Sequence, residues 1–389
     1  MSPRRPERVV VAGSAAQNPS YGGHLWVFLQ YLLGFRRLGH DVLLVDRLRP
    51  EMLNDPPAGG ALKRSHELRR LTSVLRRYHL SDSFIVLDHN GEPIAGITRR
   101  EAIARTRTAC ALINISGFLD DAEILAAARR RVFLDLDPGF PQMWRELGLA
   151  DVLAGHDVFA TVAGRIGAGD CVIPTCGLRW IVTRPPVVLE QWPAMKAPAR
   201  IGFATVGAWR GPTGPVEYGG ETYGLRVHEF RALAELPTRT AASFEAALDI
   251  DHADRADAEL LRDGGWGLVK PAPATADPAS YRRFIRAHAA ELMVAKQMYV
   301  RTRGGWFSDR SACFMASGRP VLATDTGLDG LYPTGRGLLT FTSPSGAIDG
   351  ARAILADYTR HARAARSIAE RYFDSDAVLT ELLAAVQDR

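Results

Sequence analysis

The chain alternates short, strongly apolar runs with longer stretches of helical periodicity, and it does so twice. In the first half, the runs at 8–13 and 41–46 indicate buried strands, and the segment 22–39 between them repeats apolar residues three and four apart. Strands interleaved with helices indicate βαβ units and a parallel sheet. A second alternation begins with the apolar run at 201–207. The sequence therefore predicts two α/β units.

The segment between the two alternations differs in composition from both. Residues 173–200 are rich in Pro and Trp and have no sustained period, which favours a linker. A chain of 389 residues has the length of two domains of about 150–200 residues each. We therefore predict an N-terminal domain at 1–185, a linker at 186–200, a second domain at 201–365, and a C-terminal helix at 366–389 that packs back toward the first domain.

The predicted fold class is α/β, with two doubly wound, Rossmann-like domains that face each other across a cleft. In sheets of this kind, ligands bind at the carboxyl ends of the strands, near the point where the strand order reverses. The loops directly after strands are therefore the places to search for functional residues.

Composition argues against several classes of protein. The net charge is +5, and the basic residues are dispersed instead of forming the stripe with interleaved aromatics that nucleic-acid binding requires. No apolar run approaches the roughly 18–20 residues of a membrane helix, and the first run is too short for a signal peptide. The four cysteines lack C-x-x-C spacing, so neither zinc nor a disulfide framework is indicated. We expect a cytoplasmic protein with no nucleic-acid partner and no transmembrane segment.

The first candidate loop, residues 13–26, follows the first predicted strand. Gly22 and Gly23 precede a helix whose free N–H groups form an anion site, although the G-x-G-x-x-G pattern of dinucleotide binding is absent. His24 is a candidate general base toward a hydroxyl group, because the pKa of histidine lies near working pH. The alternative is a tight turn followed by a solvated histidine.

The second candidate loop, residues 205–220, follows the first strand of the second half. It begins at Thr205, is rich in Gly and Pro, and contains Arg210. A guanidinium group can hold a diphosphate through two parallel hydrogen bonds and stabilise the charge of a leaving group. A solvated arginine on a surface loop is the alternative.

The third candidate segment, residues 296–327, contains a short helix that begins after Ser308. That residue type is a good N-cap, and the serine hydroxyls and Arg310 suit phosphate. Asp309 would repel phosphate, so we expect it to accept hydrogen bonds from sugar hydroxyls. A structural salt bridge is the alternative for Arg310. The predicted binding residues are Ser308, Asp309, Arg310 and Ser311.

Four further residues complete the candidate site. Trp266 is a candidate stacking partner for a nucleobase, although a core tryptophan is equally consistent with the sequence. Lys270 and Lys296 are candidate phosphate ligands in a chain with few lysines, against the default of solvated side chains. Asp137, at the end of a predicted strand, is a second candidate base. Its spacing from Asp135 is weak evidence for a metal, so we predict none.

These motifs resemble those of GT-B glycosyltransferases. LGHDVLLVD is similar to the start of many such enzymes, and RSACFMASGRPVLATDTG is similar to their donor-site segment. Arg310, eight residues before Gly318, matches the spacing of the CgeB-type branch. The motifs GPVEY, YGLRVHEF and GWFSDRSACF resemble those of an uncharacterised bacterial group of glycosyltransferase-like proteins, over most of the chain.

The resemblance implies a donor site and also contains a departure. The family's arginine and lysine contacts to the diphosphate correspond to Arg210 and to Lys270 or Lys296. The family's glutamate for the donor ribose is replaced by Cys313, which accepts hydrogen bonds poorly. Ribose recognition therefore passes to a neighbour such as Asp309 or Glu229, or the donor differs from that of the family.

We therefore predict a hexosyl-type glycosyltransferase that moves a sugar from a nucleoside diphosphate to a hydroxyl group of a small molecule or glycan. The nucleotide sugar is a co-substrate, and neither a cofactor nor a metal is expected. A nucleotide-sugar epimerase of the same fold and a non-catalytic nucleotide-sugar-binding protein remain as alternatives. A nicotinamide oxidoreductase is disfavoured because neither half carries a G-x-G-x-x-G loop.

Overall fold

The computed structural model describes residues 7–17, 21–53, 62–198, 201–211, 213–240 and 242–389. The strands are β1 Arg8–Gly13, β2 Asp41–Arg47, β3 Phe84–Leu87, β4 Pro93–Gly96, β5 Ala111–Ile115, β6 Arg131–Asp135, β7 Val158–Thr161, β8 Trp180–Val182, β9 Gly202–Ala208, β10 Val216–Tyr218, β11 Glu221–Tyr223, β12 Ser243–Asp249, β13 Gly267–Leu268, β14 Ala290–Met293, β15 Val321–Thr324 and β16 Leu338–Phe341. The α-helices are α1 Gly22–Arg37, α2 His66–Arg77, α3 Arg99–Thr108, α4 Ala122–Ala127, α5 Phe140–Glu146, α6 Arg226–Arg231, α7 Arg255–Asp263, α8 Pro271–Thr275, α9 Pro278–Ala287, α10 Gln297–Thr302, α11 Asp309–Ala316, α12 Pro344–Ala356, α13 Tyr358–Tyr372 and α14 Ser375–Gln387.

The N-terminal sheet has the strand order β4-β3-β2-β1-β5-β6-β7-β8. Its neighbours are parallel except β3 and β4, which run antiparallel. β1 is central because its valines, Val9 to Val11, are fully buried, so both of its faces must be covered by other elements. The strand order reverses at β1, between β2 and β5, which places a ligand crevice at the loop after β1.

The C-terminal sheet is entirely parallel and has the order β13-β12-β9-β14-β15-β16. Its order reverses at β9, so a second crevice lies at the loop after that strand. A separate two-stranded hairpin is formed by β10 and β11. The predicted fold class, two doubly wound α/β units, is confirmed.

The two units meet directly where α1 approaches α9. The indole N–H of Trp26 donates to the carbonyl oxygen of Pro278 at 2.8 Å. A Cβ atom placed at Gly22 would lie 2.1 Å from the carbonyl oxygen of Asp277, so only glycine permits this approach. Trp192, from the segment predicted as a linker, is fully buried with its ring 4.9 Å from that of Trp26.

The chain returns to the N-terminal unit at its end. Leu379 of α14 packs against Gly34 of α1, where an added Cβ would lie 2.5 Å from the leucine side chain. Arg37 of α1 pairs with Asp376 at 3.1 Å. These contacts tie the last helix to the first.

Candidate active site in the interdomain cleft

A cavity of about 590 Å³ lies between the two units, and we call it the donor cavity. Gly23 and His24 line it from the start of α1, and Gly207 lines it from the end of β9. Asp309 and Arg310 line it from the first turn of α11. Both crevices predicted by the strand orders therefore open into one space.

Arg310 is a buried cation at the floor of the donor cavity. Its side chain pairs with the fully buried Glu291, and its Nη1 atom donates to the carbonyl oxygen of Val206 at 2.7 Å. The structure thus realises the salt bridge that was the alternative interpretation of this residue, while keeping its guanidinium at the cavity wall. Glu291 compensates most of the charge.

Arg226 is a second cation close to the donor cavity, because its guanidinium lies against Gly207, which lines the cavity. It was not among the residues predicted from the sequence. Its Nη1 atom donates to the carbonyl oxygen of Ala208 at 3.2 Å, and its buried Nε atom has no partner within the described residues. Burial, and to a smaller extent the positive charge of Arg310, lowers its pKa to about 10. In the described part of the chain no carboxylate lies within 4.0 Å of this guanidinium, so its charge is not compensated by an ion pair.

Gly207 makes the approach of Arg226 sterically allowed. A Cβ atom at Gly207 would lie 2.4 Å from Nη1 of Arg226 and 3.6 Å from Nη1 of Arg310. The absence of a side chain therefore lets two guanidinium groups converge at the carboxyl end of β9. Such convergence is costly without an anion and favourable with one.

Lys296 and Asp137 meet across the cleft. The Lys296 ammonium lies 3.0 Å from Oδ1 of Asp137 and 4.9 Å from the centre of the Phe140 ring. Tyr299 also donates to Asp137. Desolvation acts to raise the pKa of Asp137, but the charge of Lys296 and the hydrogen bonds outweigh it and hold the pKa below its usual range. Asp137 is thus a paired carboxylate and a weak base, contrary to its predicted role.

His24 lies where the donor cavity meets a smaller cavity of the N-terminal unit. Its Nε2 atom lies 2.7 Å from the carbonyl oxygen of Ser14. A carbonyl oxygen only accepts, so Nε2 carries a proton and the neutral ring keeps its basic lone pair on Nδ1. Burial lowers the pKa of His24 below 6.5. The ring is therefore neutral at pH 7, as a general base requires.

The start of α11 presents a carboxylate to the cavity. Ser308 caps the helix, its hydroxyl oxygen accepting from the Arg310 N–H at 3.3 Å, and is 3% exposed. Asp309 lines the cavity, and burial raises its pKa. Ser311 is fully buried, and its hydroxyl has no partner within the described residues. Among these residues, Asp309 is the side chain best placed to meet a ligand.

A third cavity, of about 440 Å³, adjoins the donor cavity through Tyr21 and Asp249. These two residues form a bridge between the units, with the Tyr21 hydroxyl donating to Asp249 at 3.0 Å. Val269 and Lys270 line this cavity. We call it the outer cavity.

Other predicted residues lie elsewhere or are already paired. Arg210 lines the donor cavity, but its guanidinium is paired with Asp254 at 2.5 Å. Thr205 is buried inside β9, and the cavity begins one residue later. Gly22 serves the close packing against α9, while its neighbour Gly23 reaches the cavity wall.

The prediction that Trp266 stacks on a nucleobase is wrong. The ring is 4% exposed and packs between Phe230 and Phe244, in the core of the C-terminal unit. Its indole N–H donates to the carbonyl oxygen of Ala234 at 2.9 Å. A ring enclosed on its faces and satisfied at its only donor is a core residue.

Cys313 is buried against α1. Its sulfur accepts from the side-chain amide of Gln30 at 3.5 Å, and the thiol is 3% exposed. The position that holds glutamate in the resembling family therefore packs between the two units in this chain.

The described residues contain neither a cluster of metal ligands nor a membrane-spanning helix. No group of three or more His, Cys, Asp or Glu side chains in the described ranges is arranged to hold a metal ion. None of the helices in that same part of the chain combines the length and apolar character needed to cross a bilayer.

Comparison with known proteins gives a clear result only for structure. No protein-family model and no curated protein matches the chain. Anabaena HepE, solved in complex with UDP and glucose, aligns with a TM-score of 0.59 over 98% of this chain and 100% of its own, at 12% identity. Sucrose-phosphate synthase from Thermosynechococcus elongatus aligns with a TM-score of 0.58 over 98% of each chain, at 11% identity.

A third similar structure is an α-glucosyltransferase in complex with UDP and a 13-mer DNA. It aligns with a TM-score of 0.60 over 99% of this chain and 100% of its own, at 12% identity. Agreement over both whole chains at such low identity establishes the fold, which is the GT-B arrangement of two Rossmann-like domains. The more specific resemblance to the CgeB-type branch stays a prediction.

Proposed function

We propose that this protein is a glycosyltransferase that moves a sugar from a nucleoside diphosphate to the hydroxyl group of an acceptor. The observation that carries the proposal is the convergence of Arg226 and Arg310 at Gly207, a residue that lines the cavity between the two Rossmann-like sheets. A partly buried guanidinium without an ion-pair partner costs stability in the empty protein, and a bound diphosphate offsets that cost.

The donor is arranged along the cleft in this proposal. Its diphosphate lies at Arg226 and Gly207, with Arg310 behind it and Lys296 nearby. Its sugar lies toward Asp309, whose carboxylate accepts from sugar hydroxyls. Its nucleobase enters the outer cavity, where Val269 supplies an apolar wall and Asp249 a carboxylate. Lys270, on the same wall, is available to the nucleoside.

The reaction follows from this placement. The acceptor oxygen forms a bond to the anomeric carbon while the bond between that carbon and the phosphate oxygen breaks. The electron pair leaves with the diphosphate, which Arg226 stabilises. The proton of the acceptor hydroxyl passes to Nδ1 of His24, the unprotonated ring nitrogen at the junction of the two cavities. We propose that no metal takes part.

A non-catalytic nucleotide-sugar-binding protein is the second candidate. The buried Cys313 favours it, because the carboxylate that contacts the ribose in the resembling family is missing. The two candidates share the donor cavity and differ in turnover. Release of nucleoside diphosphate from a nucleotide sugar supports the transferase, and binding without any release supports the second candidate.

The first test is a thermal-shift panel of UDP, dTDP, GDP, ADP and NAD. A ligand at 100 times its dissociation constant stabilises the fold by about 2.7 kcal/mol. We expect one diphosphate to stabilise the wild type and Arg231→Met, and to have no effect on Arg226→Met. Arg231 is a matched control because it lies on the same helix and is paired with Asp257 at 2.7 Å. A response to NAD alone would contradict the proposal.

A further inference from the structure

A smaller cavity, of about 210 Å³, opens from the donor cavity into the N-terminal unit, and we call it the side cavity. The two cavities share His24, Val27 and Asp309. A molecule in the side cavity therefore reaches the proposed base, His24, and the proposed sugar position, Asp309, where the two cavities meet.

The walls of the side cavity are mostly apolar. Phe28 from α1, Ile115 at the end of β5 and Val162 after β7 are each buried, with exposures of 2%, 4% and 4%. Leu136 and Phe307 add apolar surface from the other side. These apolar surfaces stabilise apolar groups and offer no partner to a hydroxyl that lies against them.

Two of the polar side chains in these walls, Gln30 and Asp137, are already occupied. Gln30 accepts from the Val188 N–H at 2.8 Å and donates to Cys313, so both ends of its amide are used. Asp137 is held by Lys296 and Tyr299. These groups have little capacity left for a ligand.

Tyr31 is different. Its side chain is 2% exposed and lines the side cavity, yet its buried hydroxyl has no partner within the described residues. A buried hydroxyl without a partner costs about 1–3 kcal/mol, which a ligand group can recover. Tyr31 lies seven residues, or two helical turns, after His24 on the same face of α1, and burial together with the nearby charge of Asp309, which lines both cavities, raises the pKa of its hydroxyl.

The size of the side cavity limits its occupant. An engineered cavity of about 150 Å³ in another protein is enough to hold benzene. The 210 Å³ measured here therefore holds one six-membered ring with a short substituent. A disaccharide does not fit, and a monosaccharide would bury several hydroxyls against apolar walls at about 1–3 kcal/mol each.

We propose that the acceptor is a compact, largely apolar alcohol or phenol of one ring, whose hydroxyl lies at the junction with the donor cavity. The proposal rests on the proposed function, since it names the acceptor of that reaction. The apolar ring fills the space between Phe28, Ile115 and Val162. The polar end of the molecule meets Tyr31 and His24, and Asp309 stays with the donor sugar.

Calorimetric titration of the full chain tests this assignment with three probes, 4-methylphenol, cyclohexanol and glucose, each with and without a saturating amount of the nucleoside diphosphate that the thermal-shift panel identifies. Two variants examine the cavity itself. Tyr31→Phe removes only the unpartnered hydroxyl, and Val162→Thr adds a hydroxyl to an apolar wall at nearly constant volume. Val158→Thr is the matched control, because Val158 is a similarly buried valine of β7, at 5% exposure, that is absent from the cavity wall.

We expect the two ring compounds to bind and glucose not to bind. Tyr31→Phe should weaken binding of 4-methylphenol about fivefold, as expected for loss of a single hydrogen bond, without lowering the unfolding midpoint. Val162→Thr should weaken binding of 4-methylphenol by at least as much. Val158→Thr should leave this binding unchanged, even if the substitution lowers the stability of the protein.

Three results overturn the assignment. One is glucose binding as tightly as 4-methylphenol, and another is ring binding that neither cavity variant changes. The third is binding of a nucleoside diphosphate without ring binding, which refutes the acceptor class alone. Failure of the proposed function has a separate signature, because then none of UDP, dTDP, GDP and ADP gives heat with wild type or any variant.

Discussion

Arg226→Met should make the empty protein more stable while abolishing donor binding. Burial lowers the pKa of Arg226 from 12.5 to about 10. At about 1.36 kcal/mol for each pKa unit, this shift corresponds to at most about 3 kcal/mol, and the penalty on the charged form is smaller because the guanidinium is partly exposed to water. Methionine keeps the apolar stem and removes the charge. The lost hydrogen bond to Ala208 costs about 1 kcal/mol, so we expect a net gain of about 1–2 kcal/mol.

The gain in stability expected for Arg226→Met is the same at any pH near neutrality. The folded-state pKa lies below the unfolded one, so the folded state binds the proton less tightly. The penalty on the charged form is therefore fully present at every pH below about 10. A comparison of variants at pH 7.5 measures all of it.

Urea unfolding followed by tryptophan fluorescence gives the free energy of unfolding of each variant. The matched control, Arg231→Met, loses an ion pair with Asp257 and should be less stable than wild type by up to about 1 kcal/mol. Equal or lower stability of Arg226→Met would refute the reasoning, since it would mean that the charge of Arg226 is already compensated in the empty protein.

Three further predictions concern residues around the cleft. His24→Gln should lower kcat about 10²–10³-fold. Because burial lowers the pKa of His24, wild-type kcat/KM should fall on acidification with a midpoint below pH 6.5, and a midpoint above 6.5 would contradict the assignment. Gly22→Ala should destabilise the protein by about 1–3 kcal/mol, because its Cβ would collide with Asp277, whereas Gly169→Ala, with open space around it, should be nearly neutral in thermal melts. Trp266→Phe should reduce stability without changing the dissociation constant of the nucleotide in calorimetry, and a weakened affinity would restore Trp266 to the site.

The fold could be predicted because burial controls the local sequence pattern. The helix expected at 22–39 is α1, Gly22–Arg37, and the strand expected at 201–207 is β9, Gly202–Ala208. Strands buried on both faces become continuous apolar runs, and these are visible in a single sequence.

The site could be predicted only where a motif is local. The start of α11 was found because a cap residue, a glycine turn and a following strand lie within a few positions. Arg226 was missed because its role depends on Gly207, nineteen positions away, having no side chain. The sequence did contain one local signal. Arg226 follows Gly-Leu at the first position of α6, within the motif YGLRVHEF, which resembles a motif of the glycosyltransferase-like group.

Long-range pairing and depth of burial explain why the structure differs from the roles predicted for Asp137 and Trp266. Asp137 was a candidate base because it follows a strand, but Lys296, 159 positions away, holds it in an ion pair. Trp266 also lies at a strand, and no local feature distinguishes an aromatic residue that faces a cleft from one that faces a core. Both distinctions depend on the packing of helices that are distant in sequence.

Nucleotide release from four glucose donors, UDP-, dTDP-, GDP- and ADP-glucose, tests the central claim most directly. The account predicts that wild-type protein releases diphosphate from one of them, faster with 4-methylphenol than without it, and that a glucosylated product appears by mass spectrometry. Arg226→Met should release none, while Arg231→Met behaves as wild type. Release that is unaffected by Arg226→Met, or no release from any donor by a protein that binds no nucleoside diphosphate, would contradict the account.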